Sequence, residues 1–142
     1  MRTRLFVLAL LVLFAAAALP DEPKENAYVT ELLAAIKGKE NKPAGEVFKN
    51  VKLLKDVPAG RLLRIMDIGY ARSLGVGCDH CHVEDRWEAD EKRPKLAARE
   101  MIQMLKRIND ELAMMENIDN NEPAVNCTTC HRGYVKPALQ MK

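Results

Sequence analysis

Apolar positions recur at helical spacing in three segments of the chain. Residues 25–37 carry apolar side chains on one face, and Gly38 follows the end of that face. A second helix is predicted to begin at Pro58 and to stop near Leu74, where Gly75 and Gly77 follow. The longest signal begins at Pro94, and its apolar stripe continues for about five turns. The members of the stripe are Ala98, Met101, Ile102, Leu105, Ile108, Leu112 and Met115.

The remaining segments give no convincing set of strands. Residues 38–45 form a polar linker, and residues 48–54 are ambiguous between a helical turn and a strand. Twice, a predicted helix leads through a turn into the same five-residue pattern, C-x-x-C-H. The pattern predicts an all-α fold, with two helix–turn–C-x-x-C-H units joined by long loops.

Residues 1–18 have the layout of an export signal. Arg2 and Arg4 precede an unbroken apolar run, which ends in small residues and suggests cleavage after Ala18. The run is short for a membrane span, although an uncleaved anchor is the alternative. We therefore expect a periplasmic protein in which residues 1–18 are the signal peptide, residues 19–45 an N-terminal helix and linker, and residues 46–142 the domain that carries both C-x-x-C-H patterns.

Charge and aromatic content narrow the function classes. The 22 Lys and Arg residues nearly balance the 20 Asp and Glu residues, which argues against an electrostatic nucleic-acid binder. The chain has only three Phe, three Tyr and one Trp. Such a thin core suggests that a bound group contributes to the interior.

The four cysteines occupy two motifs that are typical of covalent haem attachment. The motifs run from Cys78 and Cys81 to His82, and from Cys127 and Cys130 to His131. Two thiols at this spacing can add across the two vinyl groups of one porphyrin, and the following histidine can bind the iron. The sequence therefore predicts two covalent c-type haems, and residues 46–142 are expected to form a dihaem cytochrome c domain. The predicted attachment residues are Cys78, Cys81, Cys127 and Cys130, and the proximal iron ligands are His82 and His131.

Other uses of two C-x-x-C pairs fit less well. A shared zinc site usually has about 15–20 residues between the pairs, whereas 45 residues separate Cys81 from Cys127. A redox dithiol would follow a strand in a βαβ unit, which is not predicted. Two disulfides remain the simplest alternative for an exported protein. His80 lies inside the first motif, and we interpret it as a surface residue.

The chain has three histidines, and two of them are the predicted proximal ligands. His80 could therefore serve as a second histidine ligand for one haem at most, and methionine is the expected sixth ligand. Met66 is the only methionine between the export segment and the first motif, and we predict it as the distal ligand there. Several methionines compete at the second haem. Met115 and Met66 each precede the first cysteine of their motif by 12 residues, which favours Met115. The other candidates are Met101, Met104 and Met114.

Residues 48–137 resemble the cytochrome c subunit of photosynthetic reaction centres. The matching elements include A-R-x-M-x-x-M at residues 98–104, Ile108-Asn109, and C-x-T-C-H-R-G at residues 127–133. The resemblance implies a repeated helix–turn–haem unit in which the distal methionine lies on the helix beside each haem. It implies that Met66 and Met101 are the distal ligands and that Met104 is a neighbour. The family subunit carries four haems, so this chain resembles half of it.

The leading functional hypothesis is a periplasmic dihaem cytochrome that carries single electrons and is not an enzyme. Its partners would be other cytochromes or a membrane complex, with a photosynthetic reaction centre or a respiratory complex as acceptor. One alternative is a small peroxidase or reductase with one open haem, although the chain has no spare histidine for acid–base chemistry. Another is a redox subunit of a larger complex. No nucleic acid is expected as a partner, and membrane contact would arise only by association or through an uncleaved signal.

Overall fold

The computed structural model describes residues 26–119 and 122–140. The predicted export segment therefore lies outside the described residues. Those residues are helical and contain no β-strand, which agrees with the expected all-α class. The elements are α1 (Ala27–Ala35), α2 (Ala44–Val47), α3 (Ala59–Arg64), a π-helix (Ile65–Arg72), a 3₁₀ turn (Cys78–His80), α4 (Arg93–Leu112) and α5 (Cys127–His131).

A small apolar core forms where α3 packs against α1 and α2. The Asn26 side chain begins α1 by accepting a hydrogen bond from Tyr28 N. The predicted apolar face of α1 then packs on α3, since the buried cluster comprises Val29, Ile36, Ala59 and Leu63. The N-terminal helix α1 and the later helix α3 therefore share one core.

The second predicted helix forms, but it changes from an α-helix to a π-helix at Ile65. From Ile65 onward the helix is a π-helix, in which hydrogen bonds join residues five apart. This register brings the buried Asp67 beside Arg72, with 2.6 Å between Oδ2 and Nη2. Ile65 and Gly69 line a shallow groove on the surface.

The third predicted helix is α4, and it ends three residues earlier than the apolar stripe suggested. Pro94 lies in its first turn, as expected. The helix stops at Leu112, so Met115 lies in the turn that follows it. Much of the stripe is uncovered by protein, and Met101 and Met104 are 49% and 47% exposed.

Residues 48–54 form neither of the two elements considered for them. The segment is irregular, and Asn50 adopts a positive φ of 60°. Its side-chain amide donates to Glu88 O at 2.5 Å and to Asp90 Oδ1 at 2.9 Å. The segment is thereby attached to the loop that precedes α4.

No helix within residues 26–119 and 122–140 has both the length and the apolar character needed to cross a bilayer.

Candidate functional site

The first motif is separated from the π-helix by the five residues 73–77 and begins in a tight 3₁₀ turn. The backbone N–H groups of Cys81 and His82 both donate to Cys78 O, at 3.2 and 3.0 Å. Gly77 precedes the turn, and a Cβ added there would lie 2.5 Å from Asp79 Oδ1, so the Asp79 side chain would have to move. The turn thus brings Cys78, Cys81 and His82 to one cavity, which all three residues line.

That cavity has a volume of about 450 Å³, within the range of about 300–1,000 Å³ that is usual for cofactor sites. Its lining comes from every part of the fold between α1 and α4. The apolar members of the lining include Leu32, Phe48, Val51, Leu54, Leu62, Leu63, Met66, Tyr70, Ala71, Leu74, Trp87 and Ile102.

Met66 lies on the π-helix and lines the same cavity as His82. π-Helical turns are rare and occur frequently at functional sites. The structure therefore brings together the two residues that were predicted as the axial pair of the first haem. His80, which was interpreted as a surface residue, is half-buried and is absent from the described lining of this cavity.

The ring of His82 is oriented by a backbone carbonyl. Its Nδ1 lies 2.8 Å from Trp87 O, and a carbonyl oxygen only accepts, so Nδ1–H is the donor. This arrangement leaves Nε2 free of a proton and available to a metal. Burial lowers the pKa of His82, and the cations Lys95, Arg99 and Lys92 lower it further. The imidazole is therefore neutral, as a ligand must be.

The donor set and the cavity fit a c-type haem. Two thiols, an oriented imidazole and a thioether border one apolar space of suitable size. Burial raises the pKa of Cys78 and of Cys81, so neither is the low-pKa thiolate that a reactive redox dithiol requires.

The second motif is the short helix α5. The Asn126 side chain caps it by accepting a hydrogen bond from Thr129 N at 3.1 Å. The Thr129 hydroxyl in turn accepts a hydrogen bond from Asn126 N. His131 Nδ1 lies 3.0 Å from Tyr134 O, so this imidazole also points its donor at a carbonyl and keeps Nε2 available. The two histidines thus have the same local arrangement.

The surroundings of the second motif are open. Cys130 is exposed and Cys127 is half-buried. Neither cysteine lines the cavity of the first motif, and neither do Met101, Met104 and Met115. The structure places Met101 and Met104 on α4, and Met115, which is 50% exposed, beyond its end. The equal spacing of Met66 and Met115 therefore does not correspond to equal placement on a helix.

Two sets of contacts hold the second motif in place. Ser73 Oγ and Thr128 Oγ1 are 2.6 Å apart, and Gly133 N donates to Ser73 O at 2.8 Å. Asn109 on α4 holds the chain just before the motif, donating to Val125 O at 3.0 Å and accepting from Val125 N at 2.8 Å. The second motif is therefore attached both to the segment after the π-helix and to α4.

Tyr70 lies close to both motifs. It lines the first cavity, and burial raises the pKa of its phenol to about 12, with smaller contributions from Cys127 and Cys81. The hydroxyl thus stays protonated at neutral pH near one cysteine of each motif. The residues Tyr70, Trp87, Lys95 and Asn109 were not singled out as site residues from the sequence. The only signal was that Asn109 falls in one of the elements shared with the resembled family.

The alternatives for the cysteines find no support in the described residues. All four thiols are unpaired. No group of three or more metal-ligating His, Cys, Asp or Glu side chains occurs within the described ranges, so the two pairs do not form a joint zinc site there.

Residues 15–140 match the family model described as the photosynthetic reaction centre cytochrome C subunit. The chain is 35% identical to the "Photosynthetic reaction center cytochrome c subunit" of Roseobacter denitrificans over 126 residues, which are 84% of this chain and 32% of that protein. It is 34% identical to the protein of the same name from Thermochromatium tepidum over 95 residues, covering 66% of this chain and 22% of that protein.

A third relative has a different name. The chain is 32% identical to "Cytochrome c-554" of Chloroflexus aurantiacus over 83 residues, which are 58% of this chain and 20% of that protein. The chain thus spans between a fifth and a third of the length of these three relatives. Each of them is a cytochrome c by name, which agrees with the expectation of an electron-transfer protein rather than an enzyme.

Proposed function

Because the chain belongs to the photosynthetic reaction centre cytochrome c subunit family, we propose that it is a dihaem c-type cytochrome that carries single electrons between redox partners. The observation that carries the proposal is the shared arrangement of the two motifs. Each places two cysteines and a histidine in one turn, with the histidine Nδ1–H directed at a backbone carbonyl.

The residues that would hold each haem follow from the motifs. Cys78 and Cys81 would form the thioethers of the first haem, with His82 and Met66 as the axial ligands. Cys127 and Cys130 would attach the second haem, and His131 would bind its iron. Met101 is the proposed sixth ligand, since it lies on α4 whereas Met115 lies beyond the helix end.

A bound haem supplies one-electron chemistry at its iron. The chain's contribution is to fix the ligands and to control solvent access. The Trp87 and Tyr134 carbonyls hold the two imidazoles in the tautomer that leaves Nε2 as the ligand. The apolar lining around Met66 excludes water from the first site, and a thioether ligand favours ferrous iron.

Export to the periplasm by residues 1–18 is part of the proposal, and it is supported by the charged start and apolar run of that segment. Haem attachment outside the cytoplasm and docking to other cytochromes or to a membrane electron-transfer complex are consistent with such a location. The acceptor would be a photosynthetic reaction centre, as the relatives' names suggest, or a respiratory complex.

The test is the haem content of the exported protein. We expect haem staining that survives denaturing electrophoresis and a ratio of two haems per chain. Replacing Cys78 and Cys81 by Ala should lower the ratio to one, and so should replacing Cys127 and Cys130. A ratio that stays at two in either double variant would contradict the assignment. Resistance of the reduced protein to CO would support two filled axial positions and a carrier; rapid CO binding at one iron would favour an enzyme.

A further inference from the structure

Lys95 is a charged side chain inside the protein. Its residue is 9% exposed, although it lies on α4, where a lysine is ordinarily solvated. Its Nζ donates to Trp87 O and Ala89 O, both at 2.8 Å, and lies 3.3 Å from Asp90 Oδ1. Three oxygen partners match the three donors of an ammonium group, so the charge is fully satisfied where it lies.

One of those oxygens also orients the first proximal histidine. Trp87 O accepts from His82 Nδ1 at 2.8 Å and from Lys95 Nζ at 2.8 Å. A carbonyl that already accepts from an ammonium group is a weaker acceptor for a second donor. The Nδ1–H of His82 is consequently drawn less strongly toward the carbonyl, and the ring stays a weaker electron donor at Nε2.

Cations outnumber acids along the first cavity. Its charged lining residues are Lys49, Lys52, Lys95, Arg99, Asp85 and Glu88. Asp90 is shared by Lys95 and by Arg99, whose Nη1 lies 2.9 Å from Asp90 Oδ2. One carboxylate thus faces two cations, both of which line the first cavity.

The second motif has no equivalent. Tyr134 O accepts from His131 Nδ1, and no lysine in the described part of the chain donates to that carbonyl. Both proximal histidines direct Nδ1–H at a backbone carbonyl, but within the described residues a lysine donates only to the carbonyl at the first motif.

We propose that Lys95 is a positioning residue that raises the midpoint potential of the first haem, through the Trp87 carbonyl shared with His82 and through its own buried positive charge. Both effects have the same sign. Each disfavours the ferric state, whose iron carries one more positive charge than the ferrous state. The inference rests on the proposed dihaem function.

The test is an optical redox titration of the full-length holoprotein with Lys95→Gln, which removes the charge. We expect one of the two midpoint potentials to fall, with the reduction equilibrium constant at that haem about tenfold lower, which is about 59 mV for one electron. At the other haem, the reduction equilibrium constant should change by less than about twofold. Lys95→Arg keeps the charge and should restore most of the original potential.

Asp90→Asn provides a test of opposite sign. Removing the carboxylate increases the positive excess, so the same potential should rise. General structural damage would not move the potential in opposite directions in two neighbouring variants. If Lys95→Gln does not fold, the test depends on Asp90→Asn. A rise in the midpoint potential of one haem supports the proposal, and no change or a fall overturns it. The Met–ferric charge-transfer band should persist in each variant, which would show that ligation is intact.

Lys106→Gln is the matched control, because Lys106 is also on α4 but exposed and paired with Asp110 at 2.6 Å. It should leave both potentials unchanged. If the protein binds two haems per chain but Lys95→Gln shifts neither midpoint potential, or shifts both equally, this inference alone is overturned. A chain without covalent haem would overturn the proposed function and this inference together.

Discussion

The first C-x-x-C-H motif opens into an apolar cavity of about 450 Å³, whereas the second lies near a face of α4 whose Met101 and Met104 remain half exposed. The ligand residues have the same chemistry and the histidines the same hydrogen bond in both. The first site is bounded by the core of α1 and α3, whereas the second motif is held by Asn109 of α4 and by Ser73, just after the π-helix. The difference indicates that the protein preorganises the first site, while a haem at the second would itself supply the contact between α4 and α5.

The sharpest test of this contrast removes each haem in turn. Cys78→Ser with Cys81→Ser should lower the free energy of unfolding by more than about 3 kcal/mol, because an unfilled cavity in the core costs about 24 cal/mol per Å³ that does not collapse. Cys127→Ser with Cys130→Ser should cost less, and it should mainly reduce the helicity of α4. Denaturant titration followed by circular dichroism measures both. A larger loss in the second variant would reverse the comparison.

Removing the proposed distal ligands tests whether both sites are Met-ligated. Met66→Ala and Met101→Ala should each lower one midpoint potential by about 0.1–0.3 V, given that axial ligands set haem potentials over about 0.8 V. Each should also weaken the Met–ferric band and admit CO at one haem. The matched controls are Met104→Ala and Met115→Ala, which should leave both potentials in place. If Met115→Ala lowers a midpoint potential and Met101→Ala does not, Met115 is the ligand, as the equal spacing from the first cysteine of each motif predicts.

The connection between the two units can be tested at Gly75. This residue has φ of +68°, and an added Cβ would lie 2.1 Å from Gly133 O. Gly75→Ala should therefore cost more than about 3 kcal/mol, since it combines a left-handed strain of about 1–2 kcal/mol with a backbone clash. Gly38→Ala is the control: its φ is +81° with no atom within 4 Å of the added Cβ, so it should show the strain alone. Equal melting temperatures of Gly75→Ala and Gly38→Ala would argue against close packing of Gly75 on Gly133.

The smallest expected effect concerns the attachment of the second motif to α4. Asn109→Ala removes two hydrogen bonds to Val125 and should cost about 2 kcal/mol, at about 1 kcal/mol for each bond. It should also shift the potential of the second haem more than that of the first. Lys106→Ala breaks an exposed pair on the same helix and should cost less than about 0.5 kcal/mol. Equal effects of the two substitutions on thermal melting would contradict the assigned role of Asn109.

The sequence alone determined the parts of this protein that depend on local chemistry. The C-x-x-C-H spacing indicates haem attachment because two thiols and an imidazole must fit one turn, wherever that turn lies. The helices of residues 27–35 and 93–112 were predictable because an amphipathic face and proline or glycine ends are local signals. The family resemblance was equally visible in short blocks of sequence and is confirmed by the match over residues 15–140.

Only the tertiary structure decided which residues surround those motifs. Apolar spacing gave no sign that residues 65–72 form a π-helix, nor that Asp67 would be buried in it and paired with Arg72. Lys95 reads in sequence as one of several surface cations on α4, yet carbonyls from the preceding loop bury it beside His82. The contrast between an enclosed and an open site likewise arises from contacts between segments distant in the chain, and such contacts leave no periodic signal in the sequence.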